Sequence, residues 1–65
     1  SSKQFLSQVV EILKDLPDNQ KMVVALHYQE DLSYREIAAV MDLTPGRISQ
    51  LHTQAMISIR AMLGA

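Results

Sequence analysis

With 65 residues, the chain can form one domain around one small core, and a domain this short buries only about 60% of the surface its unfolded form exposes. It has no cysteine, so no disulfide or thiolate metal site can staple it. It also has no apolar run long enough to cross a bilayer, which leaves helix packing or a partner to hold it together. Abundant aliphatic residues and four methionines suit packed helices, but a formal charge of −1 is low for a nucleic-acid binder, because lysine and arginine supply most of the attraction to phosphate.

From Gln4 to Leu16, the residues Phe5, Val9, Ile12, Leu13 and Leu16 fall at the spacing of one face of an amphipathic helix. Pro17 stops it, because proline lacks the N–H and disfavours helical geometry in the residue before it. Pro17 and Asp18 then suit the start of a second helix, where an acid complements the dipole. That helix runs through Lys21 to Gln29, with Val23 and Leu26 inward and Met22 and Tyr28 as further inward candidates. The run Met22 to Leu26 also reads as a short buried strand. With no second strand to pair it, helix is preferred.

Ser33, Tyr34, Arg35 and Glu36 have the spacing of a capping box, in which serine hydroxyl and glutamate carboxylate each accept from the other's backbone N–H. Ile37, Ala38 and Met41 form one stripe, which predicts a third helix of about two turns. Asp42 and Leu43 form the turn. Thr44 as N-cap and Pro45 at the first helical position open the last helix, whose inner stripe is Ile48, Leu51, Ala55, Ile59 and Met62. Gly64 is placed to cap its C-terminus. The expected fold is all-α: four helices in a single domain over residues 1–65, with no wing, linker or internal repeat.

A short helix joined to a longer one by a very tight turn is the helix-turn-helix arrangement, here over residues 33–62. Ile37, Met41, Leu43, Ile48 and Leu51 are apolar where the helices and turn must face the core, and Ala38 is small at their closest approach. Asp42 stands where glycine is frequent, but aspartate is among the residues that tolerate a left-handed conformation. With the stripe inward, Arg47, Ser49, Gln50, Thr53 and Gln54 point outward from the N-terminal half of the last helix. That is the part of a recognition helix that reads base edges. Arginine suits guanine, glutamine suits adenine, and serine or threonine serves base or phosphate. The helix N-terminus at Thr44 attracts phosphate through its free N–H groups.

The stretch from Asp31 through Ser33, Tyr34, Arg35 and Glu36 to Ala38, with that from Gly46 to Ala55, closely resembles region 4 of bacterial RNA polymerase sigma factors. Residues 47–55, Leu16–Pro17 and the segment His27 to Glu30 look most like the flagellar and sporulation-type alternative sigma factors, so the resemblance covers nearly the whole chain. It implies a domain that binds the upstream (minus-35) promoter element in the major groove and docks on the β flap of RNA polymerase core. An anti-sigma factor is a further implied partner. Carried over by position, base contacts fall on Arg47 and Gln50, then Ser49 and Thr53. Phosphate contacts fall on Ser33, Tyr34 and Arg35, and near His27 at the end of the second helix; Thr44 and His52 join them. Pro45 and Gly46 depart from positions where some relatives carry charged base-reading residues, so the promoter sequence does not carry over. The promoter-melting and polymerase-clamp parts of a sigma factor are absent, so the chain is expected to be a piece of a longer protein, in the bacterial cytoplasm with the nucleoid.

Each reading has a plainer counterpart. Arg47 and Gln50 can be merely solvated. His27 and His52 lack ligand-spaced neighbours for a metal, and no cofactor or small-molecule substrate is expected. Glu36 is structural, and the acids Asp15, Asp18, Glu30 and Asp31 are solvated charges that lower nonspecific DNA affinity. Val40, Met56, Ile57 and Leu63 lie off the stripes, as part of the core or as a partner surface. Two rival functions remain open: a response-regulator-type output domain, and a sigma-like interaction module that has lost DNA contact. An enzyme is the least supported, with no nucleophile–base pairing and no phosphate-cradling glycine loop.

Overall fold

Each helix starts and stops at a residue whose local chemistry explains it. The computed structural model describes residues 2–64 and comprises α1 (Ser2–Asp15), α2 (Asp18–Tyr28), α3 (Tyr34–Met41) and α4 (Pro45–Gly64). Pro17 caps α2 in an extended conformation, φ −55° and ψ 149°, and its carbonyl accepts from the Lys21 N–H at 2.9 Å. The Ser33 capping box is complete: Ser33 Oγ accepts from the Glu36 N–H at 3.2 Å, and Glu36 Oε1 accepts from the Ser33 N–H at 3.0 Å. Asp42 closes α3 in the left-handed region, φ 57° and ψ 46°, as the sequence requires of a turn this tight. The Leu43 N–H then donates to the Ala38 carbonyl at 2.9 Å, which satisfies one of the helix's orphan carbonyls. Thr44 Oγ1 accepts from the Arg47 N–H at 3.1 Å and so caps α4.

The central core is built by α2, α3 and α4. Val23, Ile37, Ile48 and Leu51 are fully buried and meet Ala38, with Leu26, Leu32, Tyr34 and Met41 packed around them. Burying each large aliphatic side chain contributes about 1.5–3 kcal/mol before the entropy of ordering is counted. α4 packs against each of the other three helices. α1 adds buried Ile12; Leu16, the residue after the helix ends, is buried too, as is Ala55 on α4, all outside the central cluster.

Several inward assignments are corrected. Phe5 is 53% exposed and Met62 49% exposed, at the outer ends of their stripes. Helical spacing identifies a face, but the partner helix covers only the middle of it. Met22 and Tyr28 on α2 are exposed, because Val23 and Leu26 turn that helix's other side to the core. Leu43 is 40% exposed, because the turn lifts it off the cluster that Met41 joins. Off the stripes, Val40 and Ile57 are exposed and Met56 is half-buried. Gly64 is the final residue of α4 and adopts no left-handed conformation. No helix among the described residues is long and apolar enough to cross a membrane.

Candidate nucleic-acid interface

The burial of Ile48 and Leu51 fixes the rotation of α4, and the rest follows from helix geometry. Arg47, Ser49, Gln50, Thr53 and Gln54 are all exposed. Arg47 Nη1 donates to Gln50 Oε1 at 3.3 Å, so the two foremost base-reading candidates form one unit. Gly46, in the same turn, is open: a Cβ there would meet only Thr44 Oγ1, at 4.0 Å. Between Thr44 and Arg47 the start of α4 therefore presents only the Pro45 ring and the bare backbone of Gly46.

The loop between α2 and α3 is tied down by His27. Its Nδ1–H donates to the Leu32 carbonyl at 2.9 Å, and the Leu32 N–H donates to the Leu26 carbonyl at 3.1 Å. Asp31 takes a left-handed φ of 56° in that loop. The effect is to set Ser33, Tyr34 and Arg35 at the head of α3, next to the third turn of α4. There His52 lies between two tyrosines, Tyr28 Oη 2.8 Å from Nε2 and Tyr34 Oη 2.7 Å from Nδ1. His27 stacks at the edge of the same group, its ring centroid 5.4 Å from both Tyr34 and His52. Burial, and then the neighbouring His27, push the His52 pKa below its ordinary 6.5, so the ring is neutral at neutral pH. Glu36 is held below the usual carboxylate range by the Ser33 backbone N–H and then its hydroxyl.

The small net charge hides a polarity. Residues 1–32 carry three lysines against five carboxylates, net −2, and residues 33–64 carry three arginines against two carboxylates, net +1. Among the described residues both ion pairs, Lys14–Glu11 and Lys21–Asp18, lie on α1 and α2. Arg35, Arg47 and Arg60 make none, so the positive groups of the helix-turn-helix are uncommitted to carboxylates.

The structure brings together, around α3 and the N-terminal half of α4, all the residues that the sequence nominated. Arg47, Ser49, Gln50 and Thr53 form the outer face of α4, with Ser33, Arg35 and Thr44 exposed beside it and Tyr34, His27 and His52 half-buried. Three features escaped sequence reasoning. Both ring nitrogens of His52 are engaged inside the protein. Leu32 packs against the core. Gln20 is 9% exposed and its amide donates to Gln54 Oε1 at 3.4 Å, leaving its own Oε1 with no partner among the described residues. The histidine–tyrosine contacts span 18 and 24 residues of sequence, beyond any local pattern. Among the described residues there is no cluster of three or more metal-binding side chains.

Comparison with known proteins places this geometry. The family model described as "Sigma-70, region 4" matches residues 12–61. The chain is 46% identical over 56 residues to the RNA polymerase sigma factor FliA of Yersinia enterocolitica, covering 86% of this chain and 24% of the relative. It is 44% identical over 57 residues to the RNA polymerase sigma factor FliA of Escherichia coli K12, covering 88% and 24%. It is 33% identical over 60 residues to the RNA polymerase sigma-D factor of Bacillus subtilis, covering 92% and 24%. The chain thus spans about a quarter of the length of the curated relatives it matches. No solved structure matches it. These relatives fall in the flagellar-type group to which the sequence resemblance pointed, and the match removes the response-regulator alternative. Four helices ending in a helix-turn-helix, and a family match over most of their length, establish that the chain belongs to the sigma-70 region 4 family.

Proposed function

We propose that this chain is the part of a sigma factor that reads the upstream promoter element and so directs RNA polymerase to its start sites. The N-terminal half of α4 enters the major groove, with Arg47 and Gln50 on base edges and Ser49 and Thr53 on bases or adjacent phosphates. Ser33, Tyr34, Arg35 and Thr44, with His27 and His52 behind them, face the flanking backbone. One observation carries this reading: Ile48 and Leu51 are buried while every polar residue of the first turns of α4 is exposed. The polymerase core, through its β flap, is the proposed tether, an anti-sigma factor the proposed antagonist, and the cytoplasm with the nucleoid the proposed location.

Few cations bear on the duplex, so counterion release gives the isolated domain only weak binding at physiological salt. Attachment to polymerase raises the effective concentration and supplies the rest. The test is fluorescence anisotropy of a labelled promoter duplex against the 65-residue chain across a salt series. Binding that is weak at physiological salt, strengthens as salt falls and is lost in Arg47→Ala supports the reading. Tight specific binding at physiological salt refutes the tethering claim, and affinity unchanged by Arg47→Ala refutes the assignment of the reading face.

A second reading, a surface for a protein partner, is favoured by one observation. An apolar groove of about 670 Å³ is lined by Leu13 of α1 and by Met22, Val24, Ala25 and Tyr28 of α2. It is compatible with the first, because a sigma factor domain must hold both DNA and polymerase.

A further inference from the structure

The four rings of His27, Tyr28, Tyr34 and His52 bring α2, α3 and α4 together at one solvent-facing spot beside the proposed reading face. His52 lies three residues beyond Ser49, and thus on the same flank of α4 about one turn further along. Tyr28 is 56% exposed, and Tyr34 and His52 are half-buried, so the group is open on one side.

The hydrogen bonding of this group has two states. A neutral imidazole has one N–H donor and one acceptor nitrogen. With tyrosine hydroxyls at 2.8 Å and 2.7 Å on its two nitrogens, it must accept from one tyrosine and donate to the other. One tyrosine hydrogen is thereby consumed inside the protein, and only the other can turn outward. Once protonated, both nitrogens donate, both tyrosine oxygens accept, and both hydroxyl hydrogens are free to point away. A DNA phosphate offers only acceptors, so it is best met by the second state.

We propose that His52 is a positioning residue for DNA-backbone contact: it aims the Tyr28 and Tyr34 hydroxyls at phosphate, and DNA binding is accompanied by uptake of a proton at His52. This rests on the DNA-binding reading above. The groups facing His52 are His27 and Tyr28 from α2 and Tyr34 from α3, and none of its contacts among the described residues is a carboxylate. Of the charged residues next to Tyr34, Arg35 is exposed, and the Glu36 carboxylate is occupied by the Ser33 N–H. No carboxylate among the described residues therefore balances the imidazolium, and burial with the nearby His27 disfavours it. Phosphate would supply the missing counter-charge. By linkage, affinity rises as pH falls through the window that opens at the DNA-bound pKa and closes at the lowered free value.

The chain has only two histidines, so the experiment is clean. The imidazole resonances of His52 are followed by NMR across the pH range from about 5 to about 8, with and without a promoter duplex at low salt, and affinity is measured at both ends. A His27→Asn background removes the other imidazole while leaving a donor for the Leu32 carbonyl. The expected result is a His52 midpoint that moves upward when DNA is added, with binding about threefold or more tighter at the acid end. His52→Gln and the Tyr28→Phe/Tyr34→Phe double variant, checked for helicity, should bind with a flattened pH profile. A His52 midpoint unmoved by bound DNA overturns the inference, as does a profile that His52→Gln leaves unchanged. A full profile in the double phenylalanine variant overturns the role of the tyrosines. Binding that is absent at both pH values at low salt sinks the promoter reading itself, and this inference with it.

Discussion

Arg47 and Gln50 share a hydrogen bond across three residues of α4, guanidinium Nη1 to amide Oε1 at 3.3 Å, on a face open to solvent. In the free protein each side chain limits the rotamers of the other, so the pair is partly ordered before any base edge arrives. An exposed neutral–charged bond adds little to stability, because water replaces it. Arg47→Ala and Gln50→Ala are therefore expected to leave the melting temperature nearly unchanged. Each should weaken promoter binding by about 1–3 kcal/mol, roughly five- to 150-fold, relative to nonspecific duplex. Arg47→Lys should not restore binding, since an ammonium lacks the planar fork. Anisotropy on paired specific and scrambled duplexes reads the difference.

The capping box gives a prediction about stability. Ser33→Ala removes the acceptor for the Glu36 N–H and should cost about 1 kcal/mol. For a domain this small that corresponds to a fall of roughly 4–8 °C in Tm by thermal circular dichroism. A Ser33→Asp variant should recover most of it, because aspartate also caps well.

Asp42 carries a left-handed backbone that favours glycine. Asp42→Gly is expected to hold or raise stability, by up to about 1 kcal/mol, whereas Asp42→Val should lower it by more than that. Chemical denaturation of the three proteins orders them as glycine, aspartate, valine; valine equal to aspartate would mean that the turn relaxes.

His52 also makes the fold itself sensitive to acid. Its folded pKa lies below the ordinary 6.5, so the unfolded chain takes up the proton more readily. The contribution is fully present above pH 6.5 and is lost as pH falls from there towards the lowered folded value. Without DNA, Tm should drop between about pH 7.5 and about pH 5.5, and the drop should shrink in His52→Gln. The Glu36 contribution has the same sign but begins lower, as pH falls through its ordinary 4.5, so the two windows are separable.

What was legible in the sequence was local. Pro17, Ser33 with Glu36, Asp42, and Thr44 with Pro45 each specify a boundary by chemistry that acts within four residues, and each does so in the structure. The exposed face of α4 was legible for a related reason: burying Ile48 and Leu51 leaves Arg47, Gln50 and Thr53 no direction but outward. Distance defeated the rest. Phe5 and Met62 obey the right period but lie beyond the reach of the partner surface, which no period reports. Gln20 meets Gln54, and Tyr28 and Tyr34 meet His52, only because three helices converge. A polar residue whose partner is so far along the chain looks merely solvated.

The buried residues of the central cluster come from α2, α3 and α4 alone, while α1 is held by Ile12 in its C-terminal half and by Leu16 just beyond its end. Undocking α1 exposes few large side chains and leaves Val23, Ile37, Ile48 and Leu51 in place, so it should be the first cooperative unit to open. Deuterium uptake should accordingly run ahead along α1 while the amides of α3 and the first half of α4 stay protected. The helix-turn-helix would then outlast the helix that precedes it, and strain reaching α1 would be absorbed there before it disturbed the exposed face of α4.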